Sequence, residues 1–427
     1  MNIGGATAIL EHQGKRIMFD PWLNDGIFHG AWYHYPPLQV SIKDIGRIDY
    51  LYISHIHEDH CAAGTIQYLN RDAEVILMDR QPNFVAKFLD LYGFKFQKVH
   101  LIKPRVQTQI APNLYVDIIE ADPSHELNYQ IDSALIIKWD NFTVYNANDC
   151  PPYSNGLEYI QKQYEKVDLA LLPYAGGSGY PSCYTNLSHT DKLREKQRIF
   201  EQNLQLFVDT VKALQPSYAV PFADQYVVAG SRSVLNQYLA HPPDGSVVID
   251  ALKKVGLEDK VLLLNSGQVF DFDTKEKYPD FSYKKHSEEN RNEYINSTLH
   301  DKYYDHEMLA LNLSVPIERM IAYARSRLWQ VQRQDQYFPK FAYYLDIPDR
   351  NRIFRIALDS EIVEELSCND NLPEPYLRII LPTTLLVLLL IGHISWNIAD
   401  AALFLDYERC PNIYNSRNHA LINHLRL

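Results

Sequence analysis

Seven consecutive residues, Ser54-His55-Ile56-His57-Glu58-Asp59-His60, constrain this chain more than any other stretch. They follow an apolar run at residues 50–53 that reads as a short strand. Three imidazoles and two carboxylates within six residues are costly to gather unless something uses them. Alternate side chains of an extended backbone share a face, so His55 and His57 can meet one cation, while Asp59 and His60, past the turn, can meet a second.

Around this cluster the sequence alternates β-rich runs with helical patterns. Residues 7–10 and 15–19 read as a hairpin about Gln13-Gly14, ending at Asp20-Pro21. Further strands are predicted over 50–53, 75–78, 99–102, 114–119, 134–139 and 142–146, and helices over 82–92, 157–166 and 195–214. Strands and helices mixed in this way predict an α/β fold of two sheets between helix layers. A polar stretch from 275 to 304 predicts a boundary, dividing the chain into a catalytic domain at 1–274, a linker at 275–304 and a mostly helical region at 305–427. The apolar run 379–396 is near the length of a short membrane span, but Pro382, Gly392 and His393 interrupt it, so a buried helix is expected.

The spacing H-x-H-x-D-H is the motif of the metallo-β-lactamase superfamily, and the likeness extends beyond it. Phe19-Asp20-Pro21-Trp22 stands where a hairpin should end in Asp, Ser124-His125-Glu126 follows a later strand, and Asn146-Ala147-Asn148-Asp149-Cys150 follows the next hairpin. More narrowly, the first 230 or so residues resemble the metallo-β-lactamase-like domain of the CMP-N-acetylneuraminate hydroxylases. The shared segments include Gly30-Ala31-Trp32, Tyr52-Ile53-Ser54-His55, Ala175-Gly176-Gly177-Ser178-Gly179-Tyr180-Pro181 and Pro221-Phe222-Ala223. A weaker likeness lies at Arg409-Cys410-Pro411-Asn412-Ile413-Tyr414, which makes Arg409 and Tyr414 candidates to close the site from the tail.

The resemblance implies an αββα sandwich holding two divalent metal ions, with His55, His57 and His125 on the first, Asp59 and His60 on the second, and Asp149 bridging. Asp59 is the candidate catalytic residue. Hydrolytic relatives carry a last histidine in a P-x-H context where this chain has Ala223, and Asp224 is a possible substitute oxygen ligand. Mixed His/Asp ligation suits zinc, iron or manganese alike. Such cations lower the pKa of water towards neutrality, which makes hydrolysis of a small polar molecule (amide, lactone, phosphodiester or nucleotide sugar) the leading expectation. The narrower resemblance implies a diiron oxygenase acting on an activated sugar. Because residue 1 already lies at the first hairpin and no cluster-binding cysteine pattern is visible, that reading needs a separate electron-transfer partner. A non-catalytic metal-binding scaffold is the third reading.

Two loops are candidates for substrate contact: Trp32 and His34 in an aromatic stretch, and Tyr174, Gly176, Gly177 and Ser178, where glycines permit close backbone approach. Cys150 reads as a buried hydrophobe before it reads as an outer ligand. With 41 Lys+Arg against 53 Asp+Glu, the net charge of −12 argues against a nucleic-acid partner. Five widely spaced cysteines and no apparent signal peptide lead to the expectation of a cytoplasmic protein with no membrane span.

Overall fold

A computed structural model describes residues 1–122, 131–309, 315–367 and 370–427. Two six-stranded sheets face each other. The first runs, in spatial order, Asn2–Gly4, Thr7–His12, Lys15–Phe19, Tyr50–Tyr52, Glu74–Met78 and Lys98–Ile102, antiparallel through its first three strands and parallel thereafter. The second runs Tyr218–Phe222, Leu169–Pro173, Phe142–Asn146, Ser133–Trp139, Leu114–Glu120 and Thr108–Ala111, with its first two pairings parallel and the rest antiparallel.

Alternation along the strands sorts the side chains into layers. Ile17, Phe19, Tyr52 and Ile76 from one sheet meet Val116, Ile118, Leu135, Ile137 and Leu171 from the other, forming the interior of the sandwich. Their neighbours point outward: Met18, Leu51 and Val75 pack on Ile66, Val85 and Leu89, while Ile136, Tyr145 and Ala170 pack on Ile160, Phe207 and Val211. Strands buried on both faces need helices on both sides. The αββα arrangement follows, as the sequence implied. The helix His189–Leu214 starts earlier than its apolar pattern suggested, because Ser188 caps it by accepting from the Asp191 amide.

The region from 305 onward holds the expected helices, among them Ile317–Asp335, Thr383–Leu390 and Trp396–Ala401, and adds a five-stranded sheet. Its strands are Val363–Leu366, Arg352–Ala357, Ala342–Ile347, Tyr376–Ile380 and Asp406–Cys410. The apolar run 379–396 is divided between the end of a strand, the eight-residue helix Thr383–Leu390 and a turn through Gly392, and its leucines are buried in the protein core. No helix among the described residues is long and apolar enough to cross a membrane. One continuous core joins this region to the front of the chain, with Trp22, Phe28, Trp32 and Tyr226 packed together with Leu345, Ile379, Leu385, Trp396 and Tyr407.

Candidate metal centre and active-site cleft

The motif begins where strand Tyr50–Tyr52 runs out. Ser54 donates to Asp20 from its amide (2.7 Å) and its hydroxyl (3.0 Å), tying the start of the loop to the end of the first hairpin. Asp20 is buried in a left-handed conformation (φ 41°), and burial pushes its carboxyl up while His60 and Ser54 pull it back. Sequence reasoning took Asp20 only as the end of a hairpin; it is the anchor of the whole cluster.

Each of the three motif histidines has one ring nitrogen held by the protein. His55 Nδ1 donates to Ser54 Oγ (2.9 Å), His60 Nδ1 to Asp20 Oδ2 (3.0 Å) and His57 Nε2 to Asn397 Oδ1 (2.8 Å). With these nitrogens held, the opposite ones are those that would face a cation. These converge: His55 Nε2 and His57 Nδ1 are 2.9 Å apart, and His60 Nε2 lies 3.3 Å from Asp59 Oδ2 and 3.2 Å from Asp149 Oδ2. Two donors on one tetrahedral cation at 2.0–2.1 Å stand about 3.3 Å apart. The donor atoms of His55, His60 and Asp149 all lie within 4.8 Å of one another.

The electrostatics set the two rings apart, and a cation would take the place of the proton on His60. Burial, reinforced by the charges of His60 and His57, holds the His55 imidazole well below its ordinary value and keeps it neutral. Burial opposes charging of His60 too, but Asp149, Asp59 and Asp20 prevail and raise it well above its usual value. Asp132, one residue before strand Ser133–Trp139, was not foreseen. Its Oδ1 lies 3.7 Å from His55 Nε2 and has no hydrogen-bond partner, and burial beside Asp149 pushes its carboxyl well up. Only an ionisable residue at the mouth of an apolar strand hinted at it. Clustered carboxylates, one with an orphaned oxygen, beside convergent imidazoles fit one or two divalent cations. Cys61 and Cys150 are buried thiols pushed up by burial, and neither lines the cleft.

The cluster forms part of a cleft of about 220 Å³. His57, Asp59, His60, Asp132 and Asp149 line it, as do Trp32, Gly176, Gly177, Ser178 and Asp224. The glycines are needed for close packing: a Cβ on Gly176 would lie 2.7 Å from Asn203 Nδ2, and one on Gly177 2.7 Å from the Tyr226 hydroxyl. His34 does not reach the cleft; it is buried, bonded to Asp25 (2.8 Å) and stacked on Trp22. Tyr174 is buried behind the wall, and its hydroxyl is pushed well up by burial and then by Asp224. Asp224 pairs with His241, a residue sequence analysis passed over, rather than joining the metal-ligand cluster. His125 lies outside the described residues. Arg409 and Tyr414 do not line the cleft either: the Arg409 guanidinium sits over the rings of Tyr180, Tyr184 and Tyr414, and the tail instead supplies Asn397, Asp400 and Ala401.

Comparison with known proteins shows what this layout is similar to. Residues 15–222 match the family model described as the beta-lactamase superfamily domain. The chain is 28% identical over 284 residues to a Mycobacterium tuberculosis protein named as a Rieske 2Fe-2S iron-sulfur protein, covering 64% of this chain and 53% of that one. It is 27% identical over 226 residues to cytidine monophosphate-N-acetylneuraminic acid hydroxylase of Danio rerio, covering 50% of this chain and 36% of the hydroxylase. The chain thus spans about half or less of the length of these relatives. Among solved structures, an isothiocyanate hydrolase from Delia radicum gut bacteria aligns with a TM-score of 0.46 at 18% identity, over 64% of this chain and 98% of the hydrolase. CmlA, a diiron beta-hydroxylase from Streptomyces venezuelae, aligns at 0.42 and 16%, over 62% of this chain and 52% of CmlA.

Proposed function

We propose that this chain is a dinuclear metalloenzyme that hydrolyses a small polar molecule in the cleft beside His55–His60. The carrying observation is that three imidazoles, each with one nitrogen fixed by the protein, turn their other nitrogens towards a carboxylate-rich site. His55, His57 and His125 are assigned to the first cation, Asp59 and His60 to the second, and Asp149 to both. Bound there, divalent cations supply Lewis-acid chemistry, acidifying water and polarising the oxygen of the bond to be cleaved.

The chain's own residues supply the remainder. Asp59, held below its usual range by His60 and His57 despite its burial, stays an acceptor that can orient water and take its proton. Asn397 fixes the tautomer of His57, and Asp20 that of His60. Trp32 and Tyr226, stacked at 3.4 Å, form an apolar wall that limits bulk water on one side.

A second reading, metal-dependent hydroxylation, is favoured by the similarity to the hydroxylase over half of this chain. Metal analysis and an optical spectrum of anaerobically purified protein, run beside a panel of esters and lactones, separate the two. Colourless protein with two zinc ions that cleaves a panel member, and loses both metal and activity in His55→Ala and Asp149→Asn, supports hydrolysis. Two irons with reductant-dependent oxygen consumption would overturn it in favour of hydroxylation. Full metal content in both variants would refute the ligand assignment itself.

A further inference from the structure

Of the two carboxylates in the motif, Asp59 faces the metal-ligand cluster and Glu58 does not. The loop turns tightly here, with the His57 carbonyl accepting from the amides of His60 (3.0 Å) and Cys61 (2.8 Å). His57, Asp59 and His60 line the cleft, whereas Glu58 is turned out of it and reaches a second loop. There its Oε2 accepts from the backbone amide of Phe28 at 2.6 Å.

Phe28 stands in an uncommon turn. Gly26 (φ 78°), Phe28 (φ 52°), His29 (φ 56°) and Gly30 (φ 93°) are all left-handed, and two bulky residues in succession hold that conformation only where their surroundings impose it. Backbone bonds fix the ends of the turn, from Gly26 to the Trp32 carbonyl (2.9 Å) and from Gly30 to that of Gly26 (3.0 Å). Between them, Glu58 is the acceptor for the Phe28 amide. The turn places two rings in the cleft wall, Phe28 and Trp32, 4.6 Å apart, with Trp32 stacked in turn on Tyr226. The described residues lining the cleft include no lysine or arginine to receive an anion. Its aspartates are engaged as well, Asp224 by His241, Asp400 by the Tyr407 hydroxyl (2.9 Å), and the others in or beside the metal-ligand cluster.

We propose that Glu58 is a positioning residue for this wall: by holding the Phe28 amide it keeps the left-handed turn wound, and the wall so formed takes the apolar or aromatic body of an uncharged substrate. Without that acceptor the amide is orphaned in a backbone that is already unfavourable. Residues 27–30 then relax and carry Phe28 out of the wall, while the metal ligands keep their places. The proposal deepens the reading of this cleft as the active site and rests on it. It gives the motif's second carboxylate a task away from the cations, whichever of the two chemistries runs there.

Amide hydrogen exchange over residues 26–32 and isothermal titration of the metal-loaded protein with benzyl alcohol and inorganic phosphate test it. In Glu58→Ala, exchange should speed by at least about tenfold and benzyl alcohol affinity should fall by about tenfold, while metal content and phosphate affinity hold. Glu58→Gln, whose amide oxygen still accepts, should return both to within about twofold of the parent, a rescue that a carboxylate needed for its charge or its proton would not show. Should Glu58→Ala fail to fold, Glu58→Asp, one methylene shorter, serves in its place. Unchanged exchange or loss of metal in whichever variant folds, or benzyl alcohol binding that is absent from the parent or indifferent to the variant, would overturn the proposal. A parent protein that takes up no metal would count against the metalloenzyme reading, and the exchange and benzyl alcohol results would still decide this one.

Discussion

His306 shows how much one ring can say about pH. It packs between Tyr304 and Phe404, and burial lowers its pKa from the ordinary 6.5, ahead of any neighbouring charge. The folded protein therefore binds this proton less readily than the unfolded chain does. Stability from this group is whole above about pH 6.5 and falls as the pH drops towards the depressed value. Urea midpoints at pH 7.5 and 5.5 should diverge less in His306→Phe than in the parent, and an unchanged divergence would discount the burial. At this scale the sequence was legible for the motif and opaque for its supports. His55 to His60 announce themselves by density, whereas Asp20, Asp132, His241 and Asn397 are ordinary residues in ordinary surroundings until the chain folds. His57 and Asn397 meet across 340 positions, which no local spacing can reveal.

Secondary elements were more legible than their partners. Short runs rich in Val, Ile, Leu and Tyr identified most inner strands of both sheets, because a strand buried on both faces is apolar at nearly every position. The sheet formed by Ala342–Ile347 and its neighbours was missed although its strands are no shorter than Tyr50–Tyr52, because the apolar run at 379–396 and the helical spacing after it drew the reading of this region to helix. Glycines give the element scale its sharpest test. Gly30 and Gly230 adopt φ of +93° and +65°, and a Cβ on them would stand 2.9 Å from the Tyr303 carbonyl oxygen and 2.7 Å from that of Lys302. Both glycines thus lie against the backbone of segment 302–304, which cannot swing aside as a side chain can. Gly30→Ala and Gly230→Ala should each destabilise by at least about 2 kcal/mol in a urea titration. Gly256 has a similar φ of +70° and nothing within 4 Å, so Gly256→Ala should cost only about 1 kcal/mol. Equal losses at all three positions would mean that backbone strain alone, and not the contact, sets the penalty.

For the whole molecule, the tail helps to build the cleft rather than standing apart from it. Trp32 donates from Nε1 to the Ala401 carbonyl (3.0 Å), the same helix sets Asn397 on His57, and one core runs from Trp22 to Tyr407. A ring whose far nitrogen is held presents the near one at a fixed angle, so under the proposed assignment the tail would govern the first cation without touching it. Asn397→Ala should weaken metal binding by about 10–100-fold in a chelator competition. Because Asn397 is only partly buried and lies outside the apolar core, its melting temperature should stay close to that of the parent. Parent-like metal affinity in Asn397→Ala would show that His57 is oriented by its own loop, and that the tail merely covers the cleft.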